Sequence, residues 1–260
     1  MATKIGDYNP SITEPSRLEL VSIARWLADN KKTAYLVGGW AVYFYVKPGE
    51  RPPGKYGQVV FDKSKYGDTF GFQPLGSKDI DVVFENKGEK EEFEEMYCRN
   101  NGYSKRGNIH PRELVKQVNG TEIVFDPDVL SKKWKARGTD IGWNHLITYN
   151  VWLELDSGIY VLVPTKELLL LYKCVALVER TDESKKFGAE TLRLESKIWK
   201  DANDILALHD TGIDKSALDV IAQKTGLEQI LNDAKQIISK NYDNYGFTQY
   251  AFSKNFLEPA

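Results

Sequence analysis

Cysteine and histidine are scarce in this chain, and long apolar runs are missing. Two cysteines, Cys98 and Cys174, in 260 residues supply neither a disulfide framework nor a zinc site, and they suit a reducing compartment. His110, His145 and His209 are the only histidines, and none stands at metal-ligand spacing from another. No apolar stretch is long enough to span a bilayer, since Leu168 to Leu171 lies in an amphipathic context. The segment Met1 to Asp7 lacks the apolar core of a signal peptide, so the expectation is a cytoplasmic protein without a membrane partner. A net charge of −2 with no basic tail argues against a protein held on nucleic acid by bulk charge. There is no internal repeat and no low-complexity segment. What is present is a composition 42% hydrophobic and 28% charged, enough for one large domain or two modest ones with a real core.

The most informative stretch is Gly76-Ser77-Lys78-Asp79-Ile80-Asp81-Val82-Val83-Phe84. In a strand, residues i and i+2 share a face. Asp79 and Asp81 therefore project together, while Ile80, Val82 and Phe84 point into a core. Adjacent like charges repel and raise each other's pKa unless a cation neutralises them. A hard divalent ion with oxygen ligands, Mg²⁺ above all, is the usual neutraliser. Two incidental acids at a solvated strand end would be the plain alternative.

Upstream, Thr33 to Phe44 reads as a short buried strand ending at Val37, a Gly38-Gly39 turn and a helix over Trp40 to Val46. Glycine permits positive φ and close backbone approach. The free N–H groups at the start of the next helix favour a phosphate.

Further on, Glu113 to Asp126 is a hairpin around Asn119-Gly120, a pair suited to a type I′ turn. Val118 then pairs with Thr121, and Glu122, Val124 and Asp126 share a face. Pro127 is expected to break the ladder after Asp126. A second hairpin is expected from Ile147 to Leu155 and Ile159 to Val163. Helices follow: Pro164 to Arg180, Ala189 to His209, Lys215 to Lys224 and Leu227 to Tyr242, with a polar loop over Thr181 to Gly188. On the first, Lys173 and Arg180 stand seven residues apart, on one face. On the second, Arg193, Lys197, Lys200 and Asp204 form one stripe.

Leu36-Val37-Gly38-Gly39 with Asp79-Ile80-Asp81-Val82 resembles the signature of the nucleotidyltransferase superfamily typified by DNA polymerase β. The subgroup it resembles most is that of the abortive-infection (AbiEii-like) toxins, whose helical half carries Lys, Arg and Lys-Asp motifs. Lys173, Arg180, Lys200, Asp201 and Asp204 are the candidate matches. The resemblance implies an α+β fold, a mixed sheet with flanking helices plus a C-terminal helical lobe, and a composition shift near Val163 suggests a division into residues 1–163 and 164–260. It implies transfer of NMP from an NTP such as ATP to a hydroxyl acceptor, with Mg²⁺ or Mn²⁺. Asp79 and Asp81 would be catalytic and metal-binding. Asp126 is the choice for a third carboxylate, with Glu122 and Asp128 as competitors. Gly38, Gly39, Ser77, Lys173 and Arg180 would hold the nucleotide.

The acceptor implied is tRNA, a protein side chain or a small molecule, and a toxin paired with an antitoxin protein is one setting. An aminoglycoside-type transferase and a non-catalytic nucleotide-binding or interaction module of the same fold are the competing readings. One departure is an insert from Lys47 to about Leu75, whose segments Gln58 to Phe61 and Thr69 to Phe72 could pair. It reads either as a flap beside the site or as a decorative or dimerising hairpin.

Overall fold

The computed structural model describes residues 10–46, 58–59, 70–71, 76–107, 112–186, 191–241 and 256–257. Its elements in chain order begin with helix α1 (Pro10–Asp29), strand β1 (Ala34–Leu36) and helix α2 (Gly38–Val46). The short strands β2 (Gln58–Val59) and β3 (Phe70–Gly71) pair antiparallel within the insert, and the remainder of the expected flap lies outside the described residues. Then come β4 (Asp79–Phe84), α3 (Lys87–Phe93), a π-helical turn over Glu94–Cys98, β5 (Ser104–Lys105), β6 (Leu114–Val118) and β7 (Thr121–Val129). A separate hairpin, β8 (Lys133–Ala136) and β9 (Thr139–Gly142), leads through a 3₁₀ turn (Trp143–Ile147) to β10 (Asn150–Asp156) and β11 (Ile159–Pro164). The chain after Pro164 is helical in its described residues: α4 (Lys166–Lys186), α5 (Thr191–Asp210), α6 (Lys215–Thr225) and α7 (Glu228–Asn241).

Seven strands form one mixed sheet in the order β10-β11-β1-β4-β7-β6-β5. The architecture is α+β, with helices against the sheet and a helical C-terminal half. One continuous apolar core crosses position 163, joining Ile80, Phe84 and Phe125 of the sheet to Leu168, Val178 and Leu206 of the helices. Alternation along β4 divides its side chains between two faces. Ile80, Val82 and Phe84 are at most 2% exposed. Phe84 and Phe125 meet Phe93 of α3 at ring-centroid distances of 5.2 Å, and Trp26 of α1 meets Phe93 edge-on at 5.1 Å. The opposite face carries the aspartates and packs against α2, with α4 and α5 across a cavity from it.

Three expectations give way to tertiary context. Pro127 does not end its strand: β7 continues to Val129 and stays paired with β4, Pro127 opposite Val82. The N–H groups of Val124 and Leu130 both point to β4, so by alternation the missing N–H of Pro127 faces the other side. There β6 has already ended, because Leu114 pairs with Phe125, and no ladder bond is lost. The polar segment after Arg180 is helical to Lys186 rather than a loop. The hydroxyls of Thr181 and Ser184 bond back to the carbonyls of Leu177 and Thr181 at 2.7 and 2.8 Å, and Asp182 is tied by Arg137. The second hairpin starts at Asn150, since the residues before it form the 3₁₀ turn.

The hairpin β8–β9 was not legible in the sequence. Its turn has positive φ at both central residues, 48° at Arg137 and 82° at Gly138. That is the conformation for which Asn-Gly is preferred, and arginine carries no such signal. The left-handed arginine is compensated by reach. Its guanidinium bonds both oxygens of Asp182 on α4 at 2.6 Å and meets Asp233 on α7 at 2.5 Å. One side chain thus ties the tip of a hairpin that lies outside the main sheet to two helices. Replacing Arg137 with Asn, which tolerates left-handed backbone, should cost about 1–2 kcal/mol of stability at low salt and less at about 1 M salt. Denaturant titration at both salt levels checks this; an unchanged midpoint at low salt would remove the clamp from the account.

Candidate active site

Asp79 opens β4, and Asp81 follows two residues on, facing the same way. β7 lies parallel to β4 with Asp81 opposite Asp126 and Asp79 opposite Val124. The three carboxylates therefore stand on one face of two adjacent strands. Asp128, next along that face, is already occupied: Lys132 forms an ion pair with it and the Trp143 indole N–H donates to it at 3.0 Å. Glu122 is held by Arg106 at 2.9 Å. Asp126 has no hydrogen-bond or ion-pair partner among the described residues, so of the three competitors it is the one left beside Asp81.

Electrostatics at this face are unfavourable without a further cation. Burial raises the Asp81 carboxyl to about 7, reinforced by the charges of Asp126 and Asp79 and opposed by Lys173 and Arg180. Burial also raises Asp79, against Lys197 and Lys78. It raises Asp126, against Lys132.

Helix α2 begins directly opposite. Gly38 has φ +69°, and a Cβ there would lie 2.1 Å from Asp81 Oδ2, so no other residue fits. A Cβ on Gly39 would lie 2.9 Å from Lys200 Nζ and 3.3 Å from Ser77 Cβ. The first N–H groups of a helix have no partner within it, and here they open onto a cavity of about 220 Å³ shared with Asp79, Asp81, Ser77 and Lys200. Ser77 Oγ accepts the Asp79 N–H at 3.1 Å, which leaves the hydroxyl hydrogen for another acceptor. Gly76 lies against the Trp40 ring. The Trp40 indole donates to Ser16 Oγ at 3.2 Å, and that hydroxyl donates to the Lys78 carbonyl at 3.3 Å. The loop carrying Ser77 is thereby tied to α1 and α2.

The far wall of the cavity is cationic and internally paired. Lys173, Arg180, Lys197 and Lys200 all line it. Lys173 Nζ meets Asp204 at 2.7 Å and Asp201 at 3.3 Å, Lys200 Nζ meets Asp204 at 2.9 Å, and Arg180 pairs with Asp201. Asp201 and Asp204 are 1% exposed and Lys173 is 7% exposed. Burial alone would raise Asp201, but Arg180, Lys173 and Lys200 together hold it below the ordinary carboxylate range. Buried charges persist only when paired in this way.

All eight residues expected from the sequence come to this region, with Asp126 beside Asp81 but outside the cavity lining. Lys173 and Arg180 reach the cavity already engaged by buried aspartates. Lys197 and Lys200 belong to the same wall; both stood in the helix stripe read from the sequence, and Lys200 was also a candidate match of the family resemblance, while the Arg193 side chain lies outside the described residues. Trp143 and Tyr172 also line the cavity and had no sequence signal as site residues.

Among the described residues, no group of three or more His, Cys, Asp and Glu side chains is gathered closely enough to hold a metal ion unaided. Mg²⁺ rarely asks for that. It is bound by one or two carboxylates together with phosphate oxygens and water. Asp79 and Asp81, raised in pKa and facing a helix N-terminus suited to phosphate, fit such a donor set.

No family model and no curated protein matches the chain. Among solved structures it is similar to the crystal structure of an antigenic nucleotidyltransferase-like protein from Paracoccidioides brasiliensis. The identity is 12% and the TM-score 0.42, covering 84% of this chain and 90% of that one. No helix among the described residues is long and apolar enough to cross a membrane.

The raised Asp81 carboxyl makes a prediction about stability. Its folded value of about 7 exceeds the ordinary 3.8, so between those limits the folded state keeps a proton that the unfolded state has lost. The contribution is fully present below about pH 4 and is lost as pH rises through about 7. In metal-free buffer, Asp81→Asn should melt higher than the wild type by about 3 °C or more near pH 8, the gap closing toward pH 4. A gap that does not change with pH would refute the assignment.

Proposed function

We propose that this protein is a metal-dependent nucleotidyltransferase that moves NMP from an NTP to a hydroxyl-bearing acceptor. The observation that carries this reading is the register of β4 and β7, which sets Asp126 beside Asp81 while Gly38 leaves room for nothing but hydrogen against the same carboxylate. Paired carboxylates alone are common. Paired carboxylates facing a glycine-opened helix start and a cationic wall combine what in-line attack on an α-phosphate requires.

In this reading the backbone N–H groups of Gly38 and Gly39 and the Ser77 hydroxyl hold phosphate oxygens. Lys200, placed against Gly39, and Lys197, Lys173 and Arg180 offset the triphosphate charge. Asp201 and Asp204 keep Lys173, Arg180 and Lys200 aimed at the cavity. Asp79 and Asp81 would hold Mg²⁺ or Mn²⁺ together with those phosphate oxygens, and Asp126 would be the third ligand. Bound there, the ion neutralises charge on the transferred group and lowers the pKa of the acceptor hydroxyl. No histidine base is needed. On this reading Asp126, beside Asp81 though outside the cavity lining, would help hold the ion that acts on the acceptor hydroxyl.

The resemblance leaves three acceptor classes: tRNA, a protein side chain, and a small hydroxylated molecule of the aminoglycoside kind. A toxin controlled by an antitoxin protein is one setting it suggests.

The test requires no knowledge of the acceptor. Thermal stability is measured with each NTP, with and without Mg²⁺, for wild type and Asp79→Asn. A ligand at about 100 times its Kd adds about 2.7 kcal/mol. The expected outcome is an upward shift with Mg²⁺ and NTP that disappears in the variant. No shift with any NTP would defeat the catalytic reading and leave a non-catalytic module of the same fold.

A further inference from the structure

The cavity has a second wall that phosphate chemistry does not use. Along α4, Leu169, Tyr172 and Ala176 form an apolar stripe beside the cationic stripe of Lys173 and Arg180, and all five line the same cavity. Trp143, from the turn after β9, joins the apolar side. Both aromatic residues have a polar atom, and both polar atoms are spent elsewhere. The Trp143 indole N–H donates to Asp128 at 3.0 Å, and the Tyr172 hydroxyl donates to the Gly142 carbonyl at 2.8 Å. What these two side chains offer to the cavity is carbon.

The orientation of Trp143 is fixed from several sides. Tyr172 meets it edge-on at 4.8 Å, Trp134 packs against it at 5.0 Å, and Asp128 anchors its nitrogen. A ring held so firmly loses little freedom when a planar group stacks on it, which favours binding. A cavity with an anion-binding helix start, a cationic wall and a rigid aromatic surface matches a ligand made of phosphates joined to a planar heterocycle.

We infer that Trp143 and Tyr172 form the base subsite of the donor nucleotide, and that this subsite reads the face of the base rather than its edge. The inference rests on the nucleotidyltransferase reading above and adds the donor preference to it. Stacking strength grows with ring area, so purine nucleotides should bind more tightly than pyrimidine nucleotides. With no donor or acceptor offered by the two rings, adenine and guanine should be held alike. A site built to hydrogen-bond one base edge would instead reject the other strongly.

Binding of ATP, GTP, CTP, UTP and inorganic tripolyphosphate, each with Mg²⁺, is measured by calorimetry on wild type, Trp143→Ala and Trp143→Phe. Tripolyphosphate carries the anion chemistry without a base, and it also reports that each variant is folded. The expected result is a loss of ATP and GTP affinity of about 10- to 100-fold in Trp143→Ala, unchanged tripolyphosphate affinity, and recovery of most nucleotide affinity in Trp143→Phe. Equal ATP affinity in wild type and Trp143→Ala, with tripolyphosphate still bound, would overturn the base subsite while sparing the transferase reading. So would a Phe variant as weak as the Ala variant. A preference between ATP and GTP larger than about tenfold would overturn readout by the face alone. Failure of the wild type to bind tripolyphosphate or any nucleotide would remove both proposals together.

Discussion

Asp81 and Asp126 face each other across adjacent parallel strands, inside a protein where like charges at close range are costly. The surrounding structure is arranged around that repulsion. Two helices bring Lys173, Arg180, Lys197 and Lys200 to the cavity that holds Asp79 and Asp81. Such cations could not be left alone in the interior either, and Asp201 and Asp204 pair with three of them from behind, offsetting part of their charge. The result is a layered arrangement: carboxylates on the sheet, cations on the helices, and a deeper pair of carboxylates beneath the cations. The cationic layer suits an anion and the carboxylate layer suits a divalent cation. On the proposed reading, a metal-bound triphosphate would supply both.

The backbone serves the same purpose. Gly38 is constrained twice, by positive φ and by the Asp81 oxygen that occupies the place of its side chain. The helix start and the carboxylate thus approach more closely than any other residue would allow. Gly76 plays a comparable part against the Trp40 ring, from which Ser16 connects to the loop ahead of Asp79. The separation of the α2 start from the Asp79 and Asp81 side chains is therefore set by packing in three elements, not by the flexibility of the loop.

The aromatic side of the cavity depends on a different device. Trp143 follows the hairpin β8–β9, which is not part of the main sheet. Arg137 at its tip fastens that hairpin to α4 and α7. The wall facing the cavity is therefore positioned by charged contacts at its far end and by ring packing with Trp134 and Tyr172 at its near end.

The amino-acid sequence by itself determined the parts that rest on short-range geometry. Asp79 and Asp81 share a face because strand side chains alternate. Gly38 sits at a positive φ that only glycine adopts freely, and Asn119-Gly120 closes a hairpin with Val118 opposite Thr121, as its turn chemistry requires. Everything that needed a distant partner was decided by the tertiary structure. Asp126 becomes Asp81's neighbour only through parallel pairing of strands from separate parts of the chain. Pro127 stays in its strand only because β6 stops short. The polar stretch after Arg180 remains helical, with Asp182 tied to an arginine 45 residues away. Trp143 is indistinguishable from a core tryptophan until α4 brings Tyr172 against it. Local sterics act between neighbours along the chain, whereas pairing, burial and charge act between whichever residues folding brings together. The motifs could therefore be read in one dimension, and the site they form could not.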